Sequence, residues 1–207
     1  MNDDVTDSWL RPYRAMAVLT LDDPATAVRV ARALHDGGLR IAEVLLRTPA
    51  ALDCVRAVRA EVPDLCIGLG TVTSPAQLDA GLAAGAQFLV TPGLTPALLA
   101  AARGLPVPLL PGVATASELM LALEAGIGTC KLFPASVLGV AQLAALAGPF
   151  PQARFCATGG LRADNAAAFL AQPNVTTVGL SWVAPADALA ARDDARIRAL
   201  AAQAACL

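Results

Sequence analysis

At 207 residues, 56% hydrophobic and only 15% charged, the chain fits one domain with a single sizeable core, expected to span residues 1–207 with 1–14 as a short N-terminal extension or helix. A net charge of −2 with scattered arginines leaves no basic footprint for nucleic acid. Pro and Gly also cut every apolar stretch well short of the roughly 20 residues a membrane span needs. The acidic start Met1-Asn2-Asp3-Asp4 carries no signal-peptide pattern, and the five dispersed cysteines (Cys54, Cys66, Cys130, Cys156 and Cys206) form no Cys-x-x-Cys pair, so a cytoplasmic protein with reduced, largely core cysteines is expected.

Short apolar runs begin near Ala15, Ile41, Cys66, Phe88, Leu109, Thr129, Arg154 and Thr176, with alanine-rich amphipathic segments between them. Asp22-Asp23-Pro24 opens the first helix and Asp36-Gly37-Gly38 closes it, with His35 in a last turn whose dipole suits a cation. That lone histidine reads as structural, and no histidine-rich metal site can be built around it. Thr48-Pro49, Ser74-Pro75 and Thr95-Pro96 repeat the same opening chemistry, and Thr115-Ala116-Ser117-Glu118 is a capping box for the helix ending near Gly126. Eight strand–helix alternations predict parallel strands joined by crossover helices, and hence an α/β fold: a single-domain (β/α)8 TIM barrel. An open doubly wound sheet is the alternative. It is disfavoured because the first strand–helix turn lacks Gly-x-Gly-x-x-Gly.

A barrel places its working residues at the C-terminal ends of its strands. Polar residues and glycines gather there: Glu43-x-x-x-Arg47-Thr48, Gly70-Thr71, Thr91-Pro92-Gly93, Pro111-Gly112, Lys131-x-Phe133-Pro134, Thr158-Gly159-Gly160 and Gly179-Leu180-Ser181. Lys131 is the only lysine, set against 14 arginines, and it lies in the apolar run Gly128–Ala135. A guanidinium stays protonated, whereas an amine in an apolar site can lose its proton and attack a carbonyl. Burial is expected to favour the neutral amine, as a Schiff-base lysine requires. Strand alternation puts Thr129, Lys131 and Phe133 on one face, and Glu43, Leu45 and Arg47 on another. About 13 Å separates the Glu43 and Arg47 α-carbons along an extended strand, enough for a substrate lying between carboxylate and guanidinium. Glu43 is expected to pass protons, through a water, rather than hold a permanent salt bridge. The glycine pairs after the last two strands suit an anion held by backbone N–H groups.

In this order, Glu43-Val44-Leu45-Leu46-Arg47-Thr48, Gly68-Leu69-Gly70-Thr71-Val72, Thr91-Pro92-Gly93-Leu94, Pro111-Gly112-Val113-Ala114-Thr115, Lys131-Leu132-Phe133-Pro134-Ala135 and Arg154–Gly160 resemble the class I 2-keto-3-deoxy-6-phosphogluconate (KDPG) / 4-hydroxy-2-oxoglutarate (KHG) aldolase family. The resemblance runs from about Ala15 to Ala190. It implies a homotrimeric lyase that cleaves a 2-keto-4-hydroxy acid, usually phosphorylated, to pyruvate and an aldehyde. It implies no cofactor and no metal, only a covalent imine on Lys131. Glu43 would be the acid/base, Arg47 and Thr71 would hold the carboxylate, and Thr91-Pro92 would line the same pocket. Thr158, Gly159, Gly160, Gly179 and Ser181 would take the phosphate, beside Phe133. Four positions depart from the family pattern. Leu45 stands where threonine is frequent, Ser136 and Leu138 alter a loop that is often acidic and glycine-rich, and Leu180 replaces a frequent glycine and is expected to crowd the phosphate. The alternatives are a 2-keto-3-deoxy-6-phosphogalactonate aldolase, a phosphosugar isomerase or decarboxylase on the same barrel, and a silent sugar-phosphate-binding protein.

Overall fold

The strands alternate with helices along the whole chain, as the spacing of the apolar runs requires. The structure, a computed structural model, describes residues 9–207. The elements are β1 (Ala15–Leu19), α1 (Pro24–Asp36), β2 (Ile41–Leu45), α2 (Ala51–Glu61), β3 (Cys66–Gly70), α3 (Pro75–Ala83), β4 (Leu89–Val90), α4 (Pro96–Ala102), β5 (Leu109–Leu110), β6 (Gly112–Val113), α5 (Ala116–Glu124), β7 (Thr129–Leu132), α6 (Ala135–Ala147), β8 (Arg154–Thr158), α7 (Ala166–Leu170), β9 (Val175–Leu180), α8 (Ala186–Ala191) and α9 (Asp194–Ala205). Every strand pairing is parallel, in the order β5-β4-β3-β2-β1-β9-β8-β7-β6.

The sequence predicts eight strands, and the structure has nine segments. The difference lies at Pro111, which has no N–H to give the ladder and divides the fifth strand into β5 and β6. Beyond the break, the Gly112 N–H donates to the Thr91 hydroxyl at 3.2 Å instead of to a backbone carbonyl. Because β5 and β6 are two halves of one strand position, the two ends of the sheet meet there. The fold is the expected (β/α)8 barrel.

Strand alternation builds two cores. Inside the barrel, Met16, Ile41, Phe88, Val90, Leu110 and Cys156 pack with Leu10, and the Trp9 ring lies 5.1 Å from that of Phe88. Outside, the opposite faces of the same strands meet the helices through residues such as Ala17, Val44, Leu69, Cys130, Leu132 and Leu180. Burying each large side chain contributes about 1.5–3 kcal/mol. Of the expected extension over 1–14, residues 1–8 lie outside the described residues, and 9–12 form turns rather than a helix. Four cysteines are buried or half-buried, as core hydrophobes should be, but Cys206 is exposed near the C-terminus.

Three of the five expected helix openings carry their caps, and α3 starts after Ser74 with no side-chain cap bond. Asp23 accepts from Thr26 N, Thr95 from Leu98 N, and Thr115 and Glu118 form the reciprocal box. Thr48-Pro49 does not start α2. The helix begins at Ala51 without a side-chain cap, and the Thr48 hydroxyl donates to the Leu21 carbonyl, tying the β1 and β2 loops together at the mouth of the barrel. No helix among the described residues is long and apolar enough to cross a membrane.

Candidate active site

Lys131 points into the barrel because its neighbours on β7, Cys130 and Leu132, are taken up by the outer core. Its Nζ lies 3.1 Å from Glu43 Oε1 and 3.4 Å from Oε2. Lys131 is 5% exposed and Glu43 is fully buried. The expectation that Glu43 avoids a direct salt bridge is therefore corrected. Lys131 is the carboxylate's one hydrogen-bond partner among the described residues, and a buried charge without a partner is costly. Gly70, paired with Leu45 on the adjacent strand, makes room for this contact, since a β-carbon there would overlap the Glu43 carboxylate. The Phe133 ring lies 5.5 Å from Nζ, within range of a cation–π contact. Cys156 pairs with Lys131 across the β7–β8 ladder. Burial pushes its thiol up to about 11, so it stays a neutral wall rather than a competing nucleophile.

Arg47 follows β2, two alternations beyond Glu43, and its Nε donates to the Thr71 hydroxyl at 3.2 Å. Thr71 has a φ of 60°, a left-handed conformation that a β-branched residue rarely adopts. Such strain costs on the order of 1–3 kcal/mol and gathers at functional sites. Here it turns the hydroxyl toward the guanidinium.

Arg47, Lys131 and Phe133 border a cavity of about 280 Å³ at the C-terminal mouth of the barrel. Thr158, Gly159, Gly160, Gly179 and Ser181 form its wall on the β8–β9 side. Gly159 and Gly160 have φ values of 100° and 71°, open to glycine alone at no cost, and a β-carbon at Gly159 would stand 2.9 Å from the Phe133 ring. Val18, Thr20 and Leu45 complete the lining. A larger hollow of about 610 Å³ lies on the outer surface between α1 and α9 and contains no strand-end residue. The smaller one is where the buried ion pair lies.

Two expectations fare differently. Thr91 and Pro92 do not border this cavity. The Thr91 hydroxyl is fully buried, donating to Gly93 O at 2.6 Å and accepting from Gly112 N, so it repairs the ladder at Pro111. Leu180 does not crowd the glycine wall. It is fully buried in the outer core, because alternation on β9 sends Gly179 and Ser181 to the mouth and Leu180 to the helices.

Comparison with known proteins agrees with this geometry. The family model described as KDPG and KHG aldolase matches residues 6–200. The chain belongs to the KDPG and KHG aldolase family. The KHG/KDPG aldolase of Escherichia coli (strain K12) is 50% identical over 199 residues, covering 96% of this chain and 93% of that protein. The 2-dehydro-3-deoxy-phosphogluconate aldolase of Dickeya dadantii (strain 3937) is 48% identical over 188 residues, 90% of this chain and 88% of its own length. Among solved structures, the KDPG aldolase of Legionella pneumophila, with pyruvate captured as a covalent carbinolamine intermediate, superposes with a TM-score of 0.92 at 38% identity, covering 94% of this chain and 95% of that one.

For a member of this aldolase family, the residues that sequence reasoning passes over are Val18 and Thr20, which share the inward face at the end of β1. The alternation rule that found Glu43 and Arg47 finds them too, once it is applied to the first strand.

Proposed function

We propose that this chain is a class I aldolase that cleaves 2-keto-3-deoxy-6-phosphogluconate to pyruvate and glyceraldehyde 3-phosphate through an imine on Lys131. The observation that carries the reading is the buried amine 3.1 Å from a carboxylate at the floor of the cavity, with Arg47 at its rim. Proton transfer from Lys131 to Glu43 leaves a neutral amine, which attacks C2 of the keto acid. Addition and proton transfer from nitrogen to oxygen give a carbinolamine, and Glu43 returns its proton to the C2 hydroxyl, which leaves as water to form the iminium. The carboxylate then takes the proton of the C4 hydroxyl, and the C3–C4 bond breaks. Its electrons pass to the iminium, giving an enamine and the free aldehyde. Glu43 protonates the enamine at C3, and water hydrolyses the resulting imine to pyruvate.

Arg47, steadied by Thr71, grips the substrate carboxylate in a charge-assisted pair. Thr158, Gly159, Gly160, Gly179 and Ser181 receive the phosphate, Phe133 packs beside the imine, and Thr91, followed by Pro92, braces the β5–β6 break beside β7 through Gly112. No metal or cofactor takes part in these steps. Cleavage of 4-hydroxy-2-oxoglutarate to pyruvate and glyoxylate is a second activity of the same site, supported by the naming of the E. coli relative. We further propose a cytoplasmic homotrimer serving the Entner–Doudoroff route. Exposed Met120 and Leu121 on α5, with Val137 and Val140 on α6, supply apolar surface for subunit contact.

Lys131→Arg tests the reading, because it keeps the charge and removes the nucleophile. Pyruvate release from 2-keto-3-deoxy-6-phosphogluconate, followed by a coupled dehydrogenase, is expected to vanish. Substantial turnover in the variant would assign Lys131 an electrostatic role and overturn the imine mechanism.

A further inference from the structure

The cavity is cationic on one side only. Among the described residues, Arg47 and Lys131 are its only charged lining groups, while the β8–β9 side offers glycine backbone and hydroxyls. An anionic group seated there is held by hydrogen bonds alone, so each donor matters. Ser136, in the first turn of α6, abuts this wall from outside its bordering residues. Its N–H donates to the Gly159 carbonyl at 3.0 Å, which ties the turn to the glycine pair. Its hydroxyl occupies the space where a β-carbon on Gly160 would stand. The residue is exposed. Gly139, with φ 75° and ψ 171°, separates this first turn from the rest of α6, so the position of the turn follows Gly159 and Gly160.

We infer that Ser136 is a specificity-determining residue, whose hydroxyl donates to the terminal phosphate of the substrate beside Ser181 and the N–H groups of Gly159 and Gly160. This rests on the aldolase reading above and on the β8–β9 side as its anion end. A phosphate presents three outer oxygens to be satisfied, and the described residues of the wall supply no cation to do so. 4-Hydroxy-2-oxoglutarate carries no phosphate, so its binding is independent of Ser136.

The test compares both substrates in wild type, Ser136→Ala and Ser136→Thr. Loss of one hydrogen bond to a charged group is expected to raise KM for 2-keto-3-deoxy-6-phosphogluconate about tenfold in Ser136→Ala, with kcat changed by less than about twofold. The KM for 4-hydroxy-2-oxoglutarate stays at the wild-type value, and Ser136→Thr restores the phosphorylated substrate. Equal changes for both substrates, or none for either, overturn the inference while leaving the aldolase reading intact. A wild type that does not favour the phosphorylated substrate overturns the substrate assignment, and the inference with it.

Discussion

Glu43 and Lys131 each depend on the other. Removing one partner of a buried ion pair leaves an uncompensated charge, and this costs more than removing both. Lys131→Met is therefore expected to lower unfolding stability by about 3–5 kcal/mol in urea titrations. Lys131→Met/Glu43→Gln, with no net charge left in the barrel, is expected to recover most of that loss. Additive losses in the double variant would mean that the two side chains do not sense each other. Lys131, Glu43 and Arg47 were legible in the sequence because each is an unusual residue type on the inward face of a strand end. Their direct contact was not. It depends on the width of the barrel at β2 and β7 and on the space Gly70 leaves for the carboxylate, and no local pattern encodes either.

At the scale of elements, α5 carries the most complete local signal in the chain. Thr115 accepts from the Glu118 N–H, and the Glu118 carboxylate accepts from the N–H groups of Ala114 at 2.8 Å and Thr115 at 2.9 Å. Burial raises the pKa of Glu118, but these hydrogen bonds outweigh it and hold the carboxyl below its ordinary value. A depressed carboxyl stabilises the fold above its unfolded pKa and loses that contribution as pH falls through its folded one. The stability gap between wild type and Glu118→Ala, followed by thermal unfolding, is thus expected to be widest near neutrality and to narrow below about pH 4.3. A gap that widened on acidification would contradict this. The α2 opening misled for a physical reason: the Thr48 hydroxyl donates to the Leu21 carbonyl, from a distant turn, and does not accept from an N–H of the helix end. The split at Pro111 was concealed because a proline flanked by strand residues reads as a boundary, whereas here a threonine hydroxyl bridges the gap. Leu180 was the reverse case. Alternation along Thr177-Val178-Gly179-Leu180-Ser181 already sends it outward, so the expected clash came from reading a motif without its period.

The whole molecule is a closed repeat of one unit, and its eightfold spacing made the barrel readable before any side chain was placed. Closure brings Glu43 of β2 and Lys131 of β7 face to face across the interior, although 88 residues separate them in the chain. The same closure gathers the Gly159-Gly160 turn, Ser181 and Arg47 around one mouth. A single lysine in 207 residues makes the central claim directly measurable. Incubation with pyruvate and borohydride, followed by intact-mass and peptide mass spectrometry, is predicted to give one reduced pyruvyl adduct per chain, on the peptide containing Lys131. An unmodified protein, or an adduct confined to the N-terminal amine, would contradict the account.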